Sequence, residues 1–211
     1  LKRIIETTLL RKYGYRIVHF DSDDRRGIDV ALIFRSTSFG LISTSLKTPS
    51  YEDKKLQTRD ILHACLKSPE NGLVFDFMVN HHPSKFGGAS ESENKRNSAM
   101  TALKELCDSV QSSGSRRIIA MGDFNDTPDA SAFDIIAPVL VNKAGCLYER
   151  GEGTIRYEGK WDLIDMFLVS PDMDKGSRME ICRIPFLMTR EKKHPGVKPL
   201  RTYSGPRYIG G

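Results

Sequence analysis

The sequence predicts a mixed α/β or α+β fold. Three observations carry this: a succession of short apolar runs of strand length, one long amphipathic segment between them, and no shift in composition that would mark a linker. Leu1, Ile4, Ile5, Thr8 and Leu9 recur at helical spacing, and Gly14 follows where a helix of that length needs a left-handed stop. The runs 15–20, 29–34, 40–44, 61–66 and 73–80 then have the length and the β-branched or aromatic bias of strands. Ser90 with Glu93 forms a capping-box pattern, and Ala99, Ala102, Leu103, Leu106 and Val110 line one face of the helix it would open. Residues 116–122 read as a strand. Thr127 before Pro128 reads as an N-cap with proline at the first helical position, opening a short helix through Ile136. Strand character returns at 163–170. A last apolar run, 179–187, precedes a basic, proline-containing stretch, 190–199, expected to be a surface loop. Strands joined partly by turns and partly by helices indicate one mixed sheet, or two packed sheets, with helices outside.

Composition narrows the class of protein. With 211 residues, 28% charged and 39% hydrophobic, the chain is neither fibrous nor disordered and can bury a sizeable core as one domain. Its longest uninterrupted apolar run, residues 30–34, is far below the roughly 18 residues that cross a bilayer, so no membrane span is expected. A net charge of +5 favours anionic partners without distinguishing nucleic acid from a phosphorylated small molecule. The basic pairs Arg25-Arg26, Arg116-Arg117 and Lys192-Lys193 are scattered and lack interleaved aromatics, which favours a solvated surface over a nucleic-acid platform. Cys65, Cys107, Cys146 and Cys182 are widely spaced with no CxxC pair and read as four core thiols. The first residue is Leu1, so any leader and the localisation stay open.

Two polar clusters sit at the ends of apolar strands and a third carboxylate lies within one. In Gly122-Asp123-Phe124-Asn125-Asp126, alternation in an extended segment would send Asp123 and Asn125 to one side and pack Phe124 on the other. An aspartate is a hard oxygen ligand for a divalent cation and an asparagine amide can hold a phosphate oxygen or a water; the same residues also suit an Asx turn between strand and helix. In Asn80-His81-His82-Pro83-Ser84, adjacent histidines face opposite ways, so at most one serves a site and the other packs. In the run 163–170, Asp165 is the only charge; burying a carboxylate unpaired costs several kcal/mol, so it is expected to pair with a histidine, an arginine or a metal.

Taken in order, Asn-His-x-Pro-Ser, Gly-Asp-Phe-Asn and Ile-Asp-x-Phe-x-Val-Ser resemble the signatures of the endonuclease/exonuclease/phosphatase superfamily of deoxyribonuclease-like phosphoesterases, and Thr58-Arg59-Asp60-Ile61-Leu62 resembles the strand before its histidine. The resemblance implies a four-layered α/β/β/α sandwich, two mixed sheets with helices outside and a site at the sheet ends. It implies a Mg2+- or Mn2+-dependent hydrolase of phosphate mono- or diesters. His81 would then stabilise phosphoryl oxygens, Asp123 orient the attacking water or hold the metal, Asn125 hold phosphate and Asp165 act as a supporting carboxylate. Arg59 and Ser84 would bind substrate. Loops 84–94 and 145–160 are expected to rim the pocket. The family pattern also contains an early Asn, a metal-binding Glu and a closing Asp-His, and none of the 211 residues matches these, so the resemblance implies a core domain, 1–211, without them and incomplete for activity. The alternative is a binding module on the same fold. Substrate class and oligomeric state are not legible.

Overall fold

The computed structural model describes residues 1–24, 26–85, 89–200, 203–204 and 207–208. The chain opens in a short helix, α1 (Lys2–Thr7), and a 3₁₀ turn that Gly14 ends at φ +60°, as its spacing predicts. Strands β1 (Tyr15–His19) and β2 (Ala31–Arg35) form an antiparallel hairpin. Next come β3 (Gly40–Lys47), the two-residue partners β4 (Ser50–Tyr51) and β5 (Lys54–Lys55), β6 (Ile61–Lys67) and β7 (Val74–His81). Helix α2 (Ala89–Ser112) leads to β8 (Ile118–Asp123), then α3 (Ala132–Ile136), β9 (Val141–Asn142), α4 (Gly145–Glu149) and the hairpin of β10 (Ile155–Tyr157) with β11 (Lys160–Asp162). Strand β12 (Asp165–Val169), α5 (Pro171–Asp174), and the pairs β13 (Met188–Arg190) with β14 (Val197–Pro199) and β15 (Tyr203–Ser204) with β16 (Arg207–Tyr208) complete the order.

Six strands make one mixed sheet in the order β3-β6-β7-β8-β12-β9. Only β7 and β8 run parallel, because α2 is the crossover between them; the other pairs are antiparallel. Strand β6 is covered on both faces, which explains why it is apolar almost throughout. On one face Ile61, Met78, Ile118, Ala120, Met166 and Leu168 pack under Met100, Leu103 and Cys107 of α2 and Phe133 and Ile136 of α3. On the other, Val18, Leu32 and Phe34 of the β1–β2 hairpin cover Leu62, Ala64 and Leu66 of β6. The result is the expected layered α/β sandwich, with a two-stranded sheet as its second β layer. No described helix is long and apolar enough to cross a membrane.

Several local expectations give way to tertiary structure. Thr127 does not cap a helix: its hydroxyl donates to Asp129 at 2.6 Å, its carbonyl accepts from the Ala130 amide, and the turn so closed delays α3 to Ala132. The run 179–187 is irregular as far as Ile184 and ends in a 3₁₀ turn, whereas 190–199, expected to be a loop, contributes to the β13–β14 pair. The cause is long-range. Arg156, 9% exposed, donates to Pro195 O and pairs with Glu191, pinning that hairpin from 35 residues away or more. The capping box expected of Ser90 lies outside the described side chains. Of the four cysteines, Cys107 is buried and Cys65 half-buried, but Cys146 and Cys182 are exposed on short or irregular segments. Residues 89–94 belong to α2, and 145–160 carry α4 and the β10–β11 hairpin, so neither expected rim loop is a plain loop.

Leu103 is wholly buried where α2 meets the sheet, so Leu103→Ala should lower stability by about 3 kcal/mol. Leu9→Ala, at a side chain 74% exposed, should change it by less than about 0.5 kcal/mol. Urea denaturation of both variants checks the pair.

Candidate active site

The site is built on strand register. His81 ends β7 opposite Asp123, which ends β8, and Asp165 begins β12 on the other side of Asp123. Directly opposed residues of a sheet share a face, so His81, Asp123 and Asp165 form one row. Val79, Met121 and Phe167, each two residues away along its strand, form an apolar row beside it on the same face. Parallel pairing at this end requires Gly122. Its φ is +134°, and a Cβ there would lie 1.9 Å from the Asn80 carbonyl oxygen, so no other residue lets β8 lie this close to β7 one step before Asp123.

Phe124 turns the chain away from the row. It is 1% exposed in the helix-side core, with its amide bonded to Ile164 O. Asn125 then adopts φ +51°, a strained value for a non-glycine residue. Two bonds hold it: its amide donates to Asp123 Oδ1 at 2.8 Å, and its Nδ2 donates to His82 O at 2.9 Å. The Asx turn and the polar cluster are therefore the same object. One oxygen of Asp123 closes the turn, while the other lies 3.8 Å from His81 Nε2, beyond hydrogen-bond distance.

His82 is excluded from the row. It is buried, edge-on to Phe124 at 4.9 Å, with Nε2 3.3 Å from Asn80 Oδ1. Burial, then the neighbouring charges of His81, Arg59 and Arg96, push its imidazole down to about 3. Burial, then Arg59 and Arg26, push His81 down to about 4, so at neutral pH His81 is an uncharged ring with one N–H to donate. Asp123 moves the other way, up to about 6, through burial and then the charge of Asp165.

The remaining expected residues fall in different places. Asp165 is exposed, so it pays no burial penalty and needs no partner; Thr154 Oγ1 accepts its amide at 3.2 Å and fixes where β12 starts. Ser84 is exposed three residues past His81. Arg59, expected on the substrate, is only 4% exposed and lies beneath the row, bonded to His81 O, His82 O and Asp24. Its guanidinium donates to three protein acceptors, two carbonyls and a carboxylate. Sequence reasoning missed Asp24, Thr154 and the buried pair of Arg96 with Asp126, joined at 2.8 Å and extended by Lys85. Nothing local marks them, because each acts on a segment distant in the chain.

Two facing carboxylates, one of them reluctant to ionise, form a donor set suited to a hard divalent cation. Among the described residues no salt bridge pairs Asp165, and Asp123 has, beyond the Asn125 amide on its Oδ1, the long approach of a neutral histidine on its Oδ2. Asp123 and Asp165 are thus the residues that fit such an ion.

The raised pKa of Asp123 has a thermodynamic sign. The folded carboxyl binds its proton more tightly, at about 6, than the reference value of 3.8, so its ionisation destabilises the fold progressively between those values and fully above them. In chelator, Asp123→Asn should therefore raise stability at pH 7.5 by about 1–2 kcal/mol, solvent screening at the 28% exposed side chain reducing the ceiling. The gain should vanish near pH 3.5. Denaturant titrations across that range check it, and a gain that persists at the acid end would contradict it.

No curated protein sequence matches the chain. Among solved structures it is similar to the human nocturnin catalytic domain with bound sulfate (TM-score 0.61, 19% identity, covering 77% of this chain and 63% of that one). It is also similar to a mannosyl-6-phosphatase of Bacteroides thetaiotaomicron (0.60, 18%, 81% and 67%) and to D. rerio TDP2 complexed with a single-strand DNA product (0.54, 11%, 80% and 65%). The chain therefore spans about two thirds of the length of these structures, and at such identities they speak for the fold alone. The model of the Endonuclease/Exonuclease/phosphatase family, by contrast, matches residues 1–211. The chain belongs to the endonuclease/exonuclease/phosphatase family, a group of phosphoesterases.

Proposed function

We propose that this chain carries the phosphate-handling centre of a divalent-metal-dependent phosphoesterase, which hydrolyses phosphate mono- or diesters by attack of water. The observation that carries the reading is the in-register row of His81, Asp123 and Asp165, with Asn125 locked beside it. Ester hydrolysis at phosphorus needs negative charge neutralised, a water aligned with the leaving group, and donors aimed at the equatorial oxygens. Neutral His81 offers an N–H donor, and burial lets it act without competing protonation near pH 7. The Asn125 amide, oriented by its bond to His82 O, would hold a phosphate oxygen or the water with its second N–H.

Asp123, with a carboxyl that titrates near 6, can orient the water and share its proton; Asp165 supplies the second carboxylate. Mg2+ or Mn2+ would be held by Asp123 with Asp165, and the chemistry it supplies when bound is charge neutralisation and a more acidic water. Ser84, exposed beyond the strand end, would meet the substrate outside the row. The relatives of this fold include a phosphatase and a protein holding a DNA product, and nocturnin holds a sulfate, a tetrahedral dianion like phosphate; all agree with a phosphate ester as ligand and leave its remainder open.

The test is hydrolysis of an aryl phosphate, an aryl phosphodiester and a plasmid by the full-length protein in Mg2+ or Mn2+. Asp123→Ala should lower the rate at least about 10²-fold, and a chelator should abolish it. Phosphate binding without turnover in any of these would favour a binding module instead, and unchanged turnover in Asp123→Ala would remove this site from the reaction.

A further inference from the structure

We propose that Arg59 is a positioning residue: its buried guanidinium sets the path of the chain just past β7 and thereby places His81 and Asn125 against Asp123. The backbone ladder explains the need. The last rung between β6 and β7 joins Leu62 to Val79, so strand pairing on that side stops two residues short of His81. The carbonyls of His81 and His82 then face the side chain of Arg59 instead of a strand. Arg59 Nε donates to His81 O at 3.1 Å and Nη2 donates to His82 O at 2.7 Å, while Nη1 donates to Asp24 Oδ2 at 2.8 Å.

These bonds continue directly into the site. His82 O accepts from Arg59 and also from Asn125 Nδ2, and the Asn125 amide donates to Asp123 Oδ1. One carbonyl thus couples the buried arginine to the strained asparagine beside the row. From the other side the His82 amide donates to Asp123 O at 2.8 Å, so the two strand ends are tied both through β8 and through Arg59. The cation is itself balanced. Asp24, 9% exposed, is bonded to Arg59 and also to Arg26, and despite its burial these bonds hold its carboxyl well below the usual carboxylate range. A planar fork with donors in three directions can span two carbonyls and a carboxylate at once, which the compact ammonium of a lysine cannot.

For its kinetic consequence the proposal rests on the phosphoesterase reading. In the full-length protein with Mg2+, Arg59→Lys keeps the charge that Asp24 needs but loses the two-carbonyl span. We expect kcat to fall about 10- to 100-fold with KM within about threefold, because displacing a catalytic group by an ångström costs rate more than binding. A raised KM at unchanged kcat would make Arg59 a substrate ligand and overturn the proposal, as would unchanged values of both. A second readout does not depend on turnover. The Asn125 side-chain amide signals should shift and exchange faster with solvent in Arg59→Lys, and unchanged signals would overturn the proposal even if the wild type hydrolyses none of the esters. If Arg59→Lys fails to fold, Asp24→Ala, which removes the acceptor of one arm of the same guanidinium, is read by the same two measurements with the same expected directions.

Discussion

Everything at the site depends on how closely two parallel strands approach. At Gly122 the backbone of β8 lies against that of Asn80 in β7, with no room for a Cβ. This contact sets the register in which His81 faces Asp123, and the antiparallel rung between Asp123 and Asp165 then adds the third member of the row. A parallel pair needs a crossover, and α2 provides it while covering one face of the sheet with Met100, Leu103 and Cys107. Core packing and site geometry are therefore a single requirement: the helix that buries the sheet also forces the parallel pairing that assembles the row.

The polar residues divide into those that face a ligand and those that hold the frame, and the division follows burial. Asp165, Ser84 and, in part, His81 and Asp123 reach solvent. Asp24, Arg59, Arg96 and Asp126 do not, and each is paired. An unpaired charge at such depth would cost several kcal/mol, so these ion pairs appear where the strand ends leave carbonyls or turns without backbone partners. The opposite end of the same sheet shows the same rule without a row of this kind: His63 and Asp76, both buried, meet at 2.6 Å, with Ser45 and Ser115 satisfying their remaining atoms.

The electrostatics of the row follow from its half-buried setting. Two histidines next to one another in sequence are both held neutral at pH 7, one by partial and one by complete burial. Burial first, and then the charge of Asp165 facing it across one rung, raises the carboxyl of Asp123. A strained asparagine, a reluctant carboxylate and a neutral imidazole are each less stable choices for a strand end than apolar residues would be, and local rule-breaking of this kind concentrates at functional positions.

By itself the sequence determined the elements whose signal is local and the motifs whose residues are contiguous. The strands within 15–20, 29–34, 61–66, 73–80 and 163–170 follow from apolar runs, the long helix from its periodicity, the His81 and Asp123-Asn125 clusters from their places at strand ends, and Asp165 from being the one charge in an apolar run. Alternation alone separated His81 from His82 and Asp123 from Phe124, because neighbours in an extended chain must face opposite ways. Only the tertiary structure decided what depends on a second, distant segment. It buried Arg59 against the carbonyls of His81 and His82, because the ladder stops at Val79 and leaves two carbonyls that a side chain must satisfy. It left Asp165 exposed at the first position of β12, with its amide on Thr154 Oγ1. It also paired 188–190 with 197–199 through a buried arginine more than 30 residues earlier. Hydrogen-bond satisfaction is a property of the folded whole, and no window along the chain contains both partners.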